Sequence, residues 1–144
     1  MATIDLRVGS GSDYPALNSG RLTKLSYTLD TADQNVGSGD VVHLFNIPAN
    51  TFIQLVNVNV ETLEGGTATV DIGDYTAASP PVAIDADGFH NNLDLNNATG
   101  WVSSDQNSAA YQYGDYSAVA RVIGLLANNA LDAAKITVDV WMIG

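Results

Sequence analysis

The sequence predicts an all-β fold: an antiparallel β-sandwich of jelly-roll type, with an extended arm at its N-terminus. Apolar and polar residues alternate along several runs, which is the period of a strand with one buried face. Clusters of Gly, Pro, Asn and Asp separate these runs about every 8 to 12 residues, the spacing that is typical of sandwiches and jelly rolls. No apolar pattern of helical period lies between them, which disfavours alternating strands and helices.

The first 22 residues are predicted to form the arm, and residues 23–144 the sandwich domain. The arm contains short apolar pieces broken by GSGSD and by Tyr14-Pro15, and one short strand is expected at Thr3–Val8. The alternative is that this segment is the first edge strand and loop of the same domain.

Four strands are expected next, because each run alternates or is rich in β-branched residues. They are Lys24–Thr31, Asp40–Ile47, Thr51–Thr62 and Thr67–Ile72. Even spacing predicts one shared face for four residues of the third strand, namely Phe52, Val56, Val58 and Val60. Glu64-Gly65-Gly66 predicts a tight hairpin, since Gly accepts positive φ without steric cost, and the fourth strand should therefore return antiparallel to the third.

The region after the fourth strand is the least regular. Short strands are expected at 82–84 and 101–102, and a helical turn at 91–96. Alternation returns in Ser117–Ala127 and in Lys135–Ile143. We expect the latter run to pair inside a sheet, because an unpaired final strand would fray.

Composition limits the function classes. A chain of 144 residues can form one domain with its own core. Its net charge of −11, from 16 acidic and 5 basic residues, argues against nucleic acid and anionic membranes as partners, since both attract Lys and Arg. The absence of Cys excludes disulfides and thiolate metal sites. The N-terminal residues lack the pattern of a secretory signal, and no apolar run approaches the roughly 20 residues of a membrane span, so we expect synthesis in a cytoplasm.

Few residues suit catalysis or metal binding. His43 is expected on the polar face of a strand and His90 in an Asn-rich loop. The pairs Asp71/Asp74 and Asp85/Asp87 could hold Ca²⁺, but Asp side chains that bond nearby backbone N–H groups explain them more simply. We predict no catalytic residue, no cofactor and no metal site.

Aromatic residues cluster late in the chain, where they could pack in the core, anchor a protein interface or stack on sugars. Together with apolar residues of the arm they form the predicted interface set. The set comprises Ile4, Leu6, Val8, Tyr14, Leu17, Leu22, Trp101, Tyr111, Tyr113 and Tyr116.

Two segments resemble a known group of proteins. The motif ExxEGGTxTVDIGD spans residues 61–74 and follows VVHLFNIPANTFIQLVNVNV, and the chain ends in KITVDVWMIG. Together they resemble small virion proteins of tailed bacteriophages, the group that includes capsid decoration or cement proteins. The matching part covers about a quarter of the chain.

The resemblance implies a β-sandwich or jelly-roll protomer, often a homotrimer, on the outer surface of an icosahedral capsid. The implied partners are the major capsid protein and further copies of the chain, and synthesis would take place in the host cytoplasm. It carries over no catalytic residue. The alternative is a carbohydrate-binding or fibre/receptor-binding β-sandwich module of a phage virion. Its site would contain the aromatic group Trp101, Tyr111, Tyr113 and Tyr116 and the Asp85-Asp87 loop, with or without Ca²⁺.

Overall fold

The computed structural model describes residues 3–8, 22–107 and 110–144. Nearly all regular structure within those ranges is β-strand. The elements are β1 (Thr3–Val8), β2 (Leu22–Asp30), β3 (Val41–Ile47), β4 (Thr51–Thr62), β5 (Thr69–Thr76), β6 (Ala83–Asp94), β7 (Gly100–Ser103), α1 (Ser104–Asn107), β8 (Asp115–Ser117), β9 (Arg121–Ala127) and β10 (Lys135–Ile143). Among the described residues, no helix has the length and apolar character needed to cross a membrane.

The strands form two sheets that pack face to face. Sheet A has the order β1-β3-β9-β5-β6, and sheet B the order β2-β10-β4-β7, with β8 also paired to β4. When β1 and β8 are set aside, each sheet has four strands, and β2 lies beside β10 as β3 lies beside β9. This is the jelly-roll arrangement, so the predicted fold class is confirmed.

The core lies between the two inner faces and is built from aliphatic side chains. Alternate residues of β10 (Ile136, Val138 and Val140) meet those of β4 (Val56, Val58 and Val60) within sheet B, and all are buried. Burying one such side chain stabilises the fold by about 1.5–3 kcal/mol. The alternation that predicted both strands therefore follows from packing, and both were predicted with the bounds that the structure shows.

One face assignment within β4 was wrong. The register between β10 and β4 shifts between Trp141, which pairs with Leu55, and Met142, which pairs with Ile53. This β-bulge changes the alternation, so Ile53 joins the core in place of Phe52. Phe52 is half-buried on the outer side of the strand.

The predicted hairpin at Glu64-Gly65-Gly66 was also wrong, because β4 belongs to sheet B and β5 to sheet A. The turn carries the chain from one sheet to the other. The Glu64 carboxylate accepts hydrogen bonds from the backbone N–H groups of residues 132, 133 and 134, at 2.7–3.1 Å. These bonds hold the crossing against the turn between β9 and β10.

The helical turn predicted at 91–96 is absent, since β6 continues to Asp94. Asn92 adopts a left-handed φ of 53°, and the pairing with β5 shifts nearby. Asn tolerates this conformation better than most residues. The irregularity turns Leu93 into the core, while the helical turn lies instead at α1.

The strand predicted at Thr3–Val8 is confirmed as β1. It pairs in parallel with β3, from Thr3 beside Val41 to Val8 beside Phe45, and is the exception in otherwise antiparallel sheets. Ile4 is half-buried against the core. The division of the chain into an arm and a domain stays a prediction.

Candidate interaction surface

A buried ion cluster lies at one end of the sandwich. Arg121 begins β9 with its side chain turned inward, where it is 1% exposed. Its Nη1 lies 3.3 Å from Asp74 Oδ2 and also bonds Asp115 Oδ2, while Nη2 donates to the backbone oxygens of Thr51 and Asp115 at 3.4 and 2.9 Å. Since Asp74 belongs to sheet A and the other partners to sheet B or its edge, this one guanidinium joins the two sheets.

The pKa of Asp74 is set by opposing effects. Burial raises the pKa of Asp74, while the positive charge of Arg121 and a hydrogen bond from Tyr111 lower it by less. The net pKa is raised, because desolvation of the carboxylate outweighs its ion pair.

The same cluster fixes the segment that leads into β8. Tyr111 Oη donates to Asp74 Oδ1 at 3.1 Å, and its ring packs on Phe89 with centroids 4.9 Å apart. Burial and the Asp74 carboxylate raise the pKa of Tyr111, so its hydroxyl stays protonated and remains a donor. The backbone N–H of Tyr111 bonds Gly88 O at 2.9 Å. The side chain and the backbone thus hold one end of the segment.

The other end of the segment, at Gly114, is fixed by close packing. Gly114 has φ of +97°, and a Cβ there would lie 2.5 Å from the Phe52 ring. Only Gly fits this close approach without strain. Tyr116 pairs with Phe52 in the β8–β4 ladder, and its hydroxyl bonds Asn50 Oδ1 at 3.2 Å.

This scaffold displays the aromatic surface, which we define as Trp101, Tyr113 and Tyr116. Their exposed fractions are 56%, 87% and 58%. Trp101 pairs with Asn59 and Tyr116 with Phe52, which are outward residues of β4 roughly 23 Å apart along the strand. Exposed aromatic rings on an ordered backbone bind a partner with little loss of conformational entropy.

A depression of about 340 Å³ lies beside Tyr113. It is lined by Gln54, Leu55, Asp105, Gln112 and Tyr113. Two amides, one carboxylate and an aromatic ring give it both hydrogen-bonding and apolar character. It can therefore receive a side chain or a small polar group of a partner.

Those members of the predicted interface set whose side chains the structure describes do not form one surface. Leu22 is half exposed at the start of β2, and Tyr111 packs inward instead of joining the aromatic surface. Leu6 and Val8 belong to β1, whereas Tyr14 and Leu17 lie outside the described residues. The interface role of the set stays a prediction.

The acidic pairs have separate partners. Asp71 accepts a hydrogen bond from the backbone N–H of Asn92 at 2.8 Å and one from Asn128 Nδ2 at 3.3 Å. Asp85 lies near Asp87, and burial together with that neighbour raises its pKa. Within the described ranges no three His, Cys, Asp or Glu side chains are grouped as metal ligands.

Both histidines are buried, so the predictions of a polar strand face for His43 and of a loop for His90 were wrong. His90 lies in β6, and its Nε2–H donates to Val56 O at 2.7 Å. Burial lowers the pKa of His90, which favours the neutral ring. His43 is buried on the outer face of sheet A, with its ring edge-on to Tyr75 at 5.5 Å.

His43 and Tyr75 line an apolar groove of about 330 Å³ on sheet A, together with Val41, Pro81, Val82, Ala83, Ala86 and Leu126. Burial raises the pKa of Tyr75 to about 12, and the carboxylates of Asp71 and Asp74 add to the shift. The phenol is therefore neutral near pH 7.

Sequence reasoning missed the ion cluster. Arg121 stands within ARVIGLLA, a run whose other residues are apolar or glycine, and this isolation was the available signal for a buried cation. Its partners lie 6 to 70 residues away along the chain. No local pattern predicts such distant pairing.

No protein-family model matches the chain, and no curated protein matches it. Its fold is similar to chains in solved capsid structures. The match to a chain of the capsid of Ralstonia phage GP4 has a TM-score of 0.66 at 16% identity, over 90% of this chain and 88% of that one. A chain of the cyanophage Pam1 capsid asymmetric unit matches with TM-score 0.55 at 11% identity, over 91% of each. A chain of the acidic stable capsid of Helicobacter pylori bacteriophage KHP30 matches with TM-score 0.51 at 16% identity, over 85% of this chain and 92% of that one.

Proposed function

We propose that this chain is a structural protein of a tailed-phage virion: a decoration or cement subunit on the outer surface of the capsid. It would bind the major capsid protein between neighbouring capsomers and add buried contact area to the shell. The proposed role is structural and not enzymatic.

One observation carries the proposal. Three capsid chains share the fold, and each match spans at least 85% of both chains. The likeness is thus to whole capsid chains of about this size, and not to one domain of a much larger subunit. A small accessory subunit fits that relation.

The aromatic surface supports the proposal. Tyr and Trp are enriched where binding energy concentrates in protein interfaces, and here they stand exposed on strands and a tightly held segment. The rings carry no charge, and the charged side chain that lines the adjoining depression is Asp105. A largely neutral protein surface is the partner that such a patch favours.

The charge of the chain fits the outer side of the shell. A net charge of −11 repels DNA packaged within the capsid. A subunit that acts between capsomers gains from avoiding that DNA, because its binding energy then goes to protein contacts alone.

A homotrimer and an arm complete the proposal. Three copies would bring three aromatic surfaces to a local symmetry axis, which multiplies weak contacts. We propose that residues 1–22 act as an arm that reinforces attachment, so a chain that begins at Thr23 should fold and bind shells more weakly. Light scattering should give three times the chain mass of 15.1 kDa.

The direct test is to add the purified protein to parent-phage shells from which this protein is absent. Cosedimentation should show saturable binding, and cryo-electron microscopy should place density outside the shell between capsomers. Density on the tail, or none on the particle, would overturn the proposal.

A second candidate is a carbohydrate-binding module of a phage fibre. The depression beside Tyr113 favours it, since amide and carboxylate groups next to a ring suit sugar hydroxyls and the apolar face of a sugar. A glycan array with and without chelator, read against Tyr113→Ala, separates this role from shell binding.

A further inference from the structure

The outer edge of β2 is long and regular. β2 pairs with β10 over nine consecutive residues without a register shift and is the end strand of sheet B. The strand contains no Pro, and from Leu22 to Leu29 its one charged residue is Lys24. Edges of this kind invite pairing with another chain.

The pairing shows which backbone groups face outward. The N–H of Thr31 donates to Ala134 O at 2.9 Å, in register with the β2–β10 ladder. Hydrogen-bonded pairs alternate in an antiparallel ladder, so odd-numbered residues of β2 bond β10 and even-numbered ones point away from it. Leu22, Lys24, Ser26 and Thr28 therefore present their N–H and C=O groups at the free edge.

Asp30, the next even-numbered residue of β2, ends this row of outward-facing backbone groups. Asp30 O accepts the backbone N–H groups of Asp33 and Gln34, at 3.1 and 3.0 Å. Within the described ranges, no backbone hydrogen bond outside the strands involves residues 22–28. With respect to the part of the chain that the structure describes, the edge is thus open from Leu22 to Thr28.

Other sheet edges are short or obstructed. β7 and β8 cover parts of β4, and Ser104 Oγ accepts the N–H of Val56 between them, at 3.0 Å. β6 is interrupted by register shifts, and the Tyr111 N–H occupies Gly88 O. Among the described strands, β2 combines length, regular register and free backbone groups.

We propose that the β2 edge from Leu22 to Thr28 accepts an extended segment of the shell subunit, which extends sheet B by one strand. The inference rests on the proposed function and names a second contact in it. An extended, proline-free segment is the ligand, because the free N–H and C=O groups alternate at strand spacing. Its side chains would meet a row of Lys24, Ser26 and Thr28.

A second copy fits this edge less well. Two β2 strands paired with each other form a two-fold contact, which a trimer lacks. Each copy also carries a net charge of −11, which opposes close approach of extended edges. Among the other described edges, β6, β7 and β8 are obstructed, and β1 is a six-residue strand whose pairing with β3 shifts in register, so β2 of another copy has little to join.

Two variants at one position test the proposal. Thr28→Pro removes an outward N–H without breaking a bond to β10, and edge strands tolerate Pro in that position. Thr28→Ala also loses the 2.9 Å contact with Thr137 Oγ1 but keeps the N–H, so it is the matched control. We expect Thr28→Pro to bind parent-phage shells about tenfold or more weakly than Thr28→Ala, with circular dichroism unchanged. Equal binding of the two variants would overturn the proposal.

Hydrogen exchange provides a test that does not depend on the proline variant folding. The amides of Lys24, Ser26 and Thr28 should exchange fast in the shell-free protein and slow at least tenfold on shells. Shell binding without this slowing would reject the strand contact and leave the proposed function standing. Slow exchange before shells are added would show that the edge is already paired and would reject the strand contact, and absence of shell binding would reject both proposals.

Discussion

Arg121 Nη1 lies 3.3 Å from Asp74 Oδ2 in the interior of the sandwich, with the two side chains 1% and 3% exposed. The guanidinium also reaches Asp115 and the backbone of Thr51, so a single cation serves two carboxylates and both sheets. The cation and the carboxylates of such a buried cluster are not equivalent. Removing the shared cation leaves both carboxylates without the positive charge that neutralises them.

Arg121→Met should therefore lower the free energy of unfolding by about 3–5 kcal/mol, because Asp74 would remain buried without its cation. Urea denaturation measures the loss. Lys135→Met is the control: Lys135 pairs with Glu61 at 3.6 Å with both side chains partly exposed, and its loss should be under about 1 kcal/mol. Similar losses in the two variants would contradict the role assigned to the cluster.

Asp74→Asn should show a pH dependence that follows from the raised pKa of Asp74, which burial causes. A raised pKa in the folded state gives stability that is full below the unfolded-state pKa and is lost as pH rises through the folded value. Asparagine cannot ionise, so the variant should gain stability relative to the wild type between about pH 3.5 and pH 7. Urea denaturation across this range measures the difference, and parallel curves would refute the assignment.

The stability of Glu64→Gln relative to the wild type should depend on pH in the opposite sense. Burial raises the pKa of Glu64, but hydrogen bonds from the backbone of Asp132, Ala134 and Ala133 lower it by more, so the net pKa is lowered. This stability is present above the unfolded-state pKa and is lost as pH falls through the folded value. We expect a loss of about 1–3 kcal/mol at pH 7 that shrinks towards pH 3. Glu61→Gln, at an exposed ion pair, should change little at either pH.

Gly73→Ala should destabilise the fold by about 3 kcal/mol or more, since a Cβ there would overlap the backbone oxygen of Asp85 and push β5 from β6. Gly66→Ala is the control, because a Cβ at that position meets nothing within 4 Å. Thermal unfolding compares the two. Equal melting temperatures would show that β6 yields more easily than its packing indicates.

Tyr113→Ser should weaken attachment to shells by about tenfold or more while leaving the melting temperature unchanged, because the ring is 87% exposed. Val82→Ser, at an exposed apolar residue that precedes β6 and lines the apolar groove, controls for a general loss of apolar surface. Cosedimentation gives both affinities. If the two variants bind shells equally weakly, the contact with the shell is not at Tyr113.

The parts of the fold that depend on local alternation could be predicted from the sequence. β4 and β10 alternate because one face of each packs in the core, and their bounds were predicted correctly. The turn at Glu64-Gly65-Gly66 could not be assigned, since a crossing between sheets and a hairpin use the same glycines. The partners that distinguish them are distant in sequence: Leu95 O for the backbone N–H of Glu64, and the backbone N–H groups of residues 132–134 for its carboxylate.

The candidate surface was predictable in part. The aromatic residues were recognisable by type, but Tyr111 and Tyr113 differ in burial although they stand two positions apart. That difference arises from the contact of Tyr111 with Asp74, which comes from a distant strand. Side-chain exposure within an irregular segment depends on tertiary partners that periodicity does not report.

The position of β10 between β2 and β4 has a consequence for how the protein is made. Neither neighbour can complete its hydrogen bonds until β10 leaves the ribosome, although both emerge much earlier. During synthesis the chain must therefore carry two strands with unpaired edges, and a pause in translation before Lys135 would prolong that exposure.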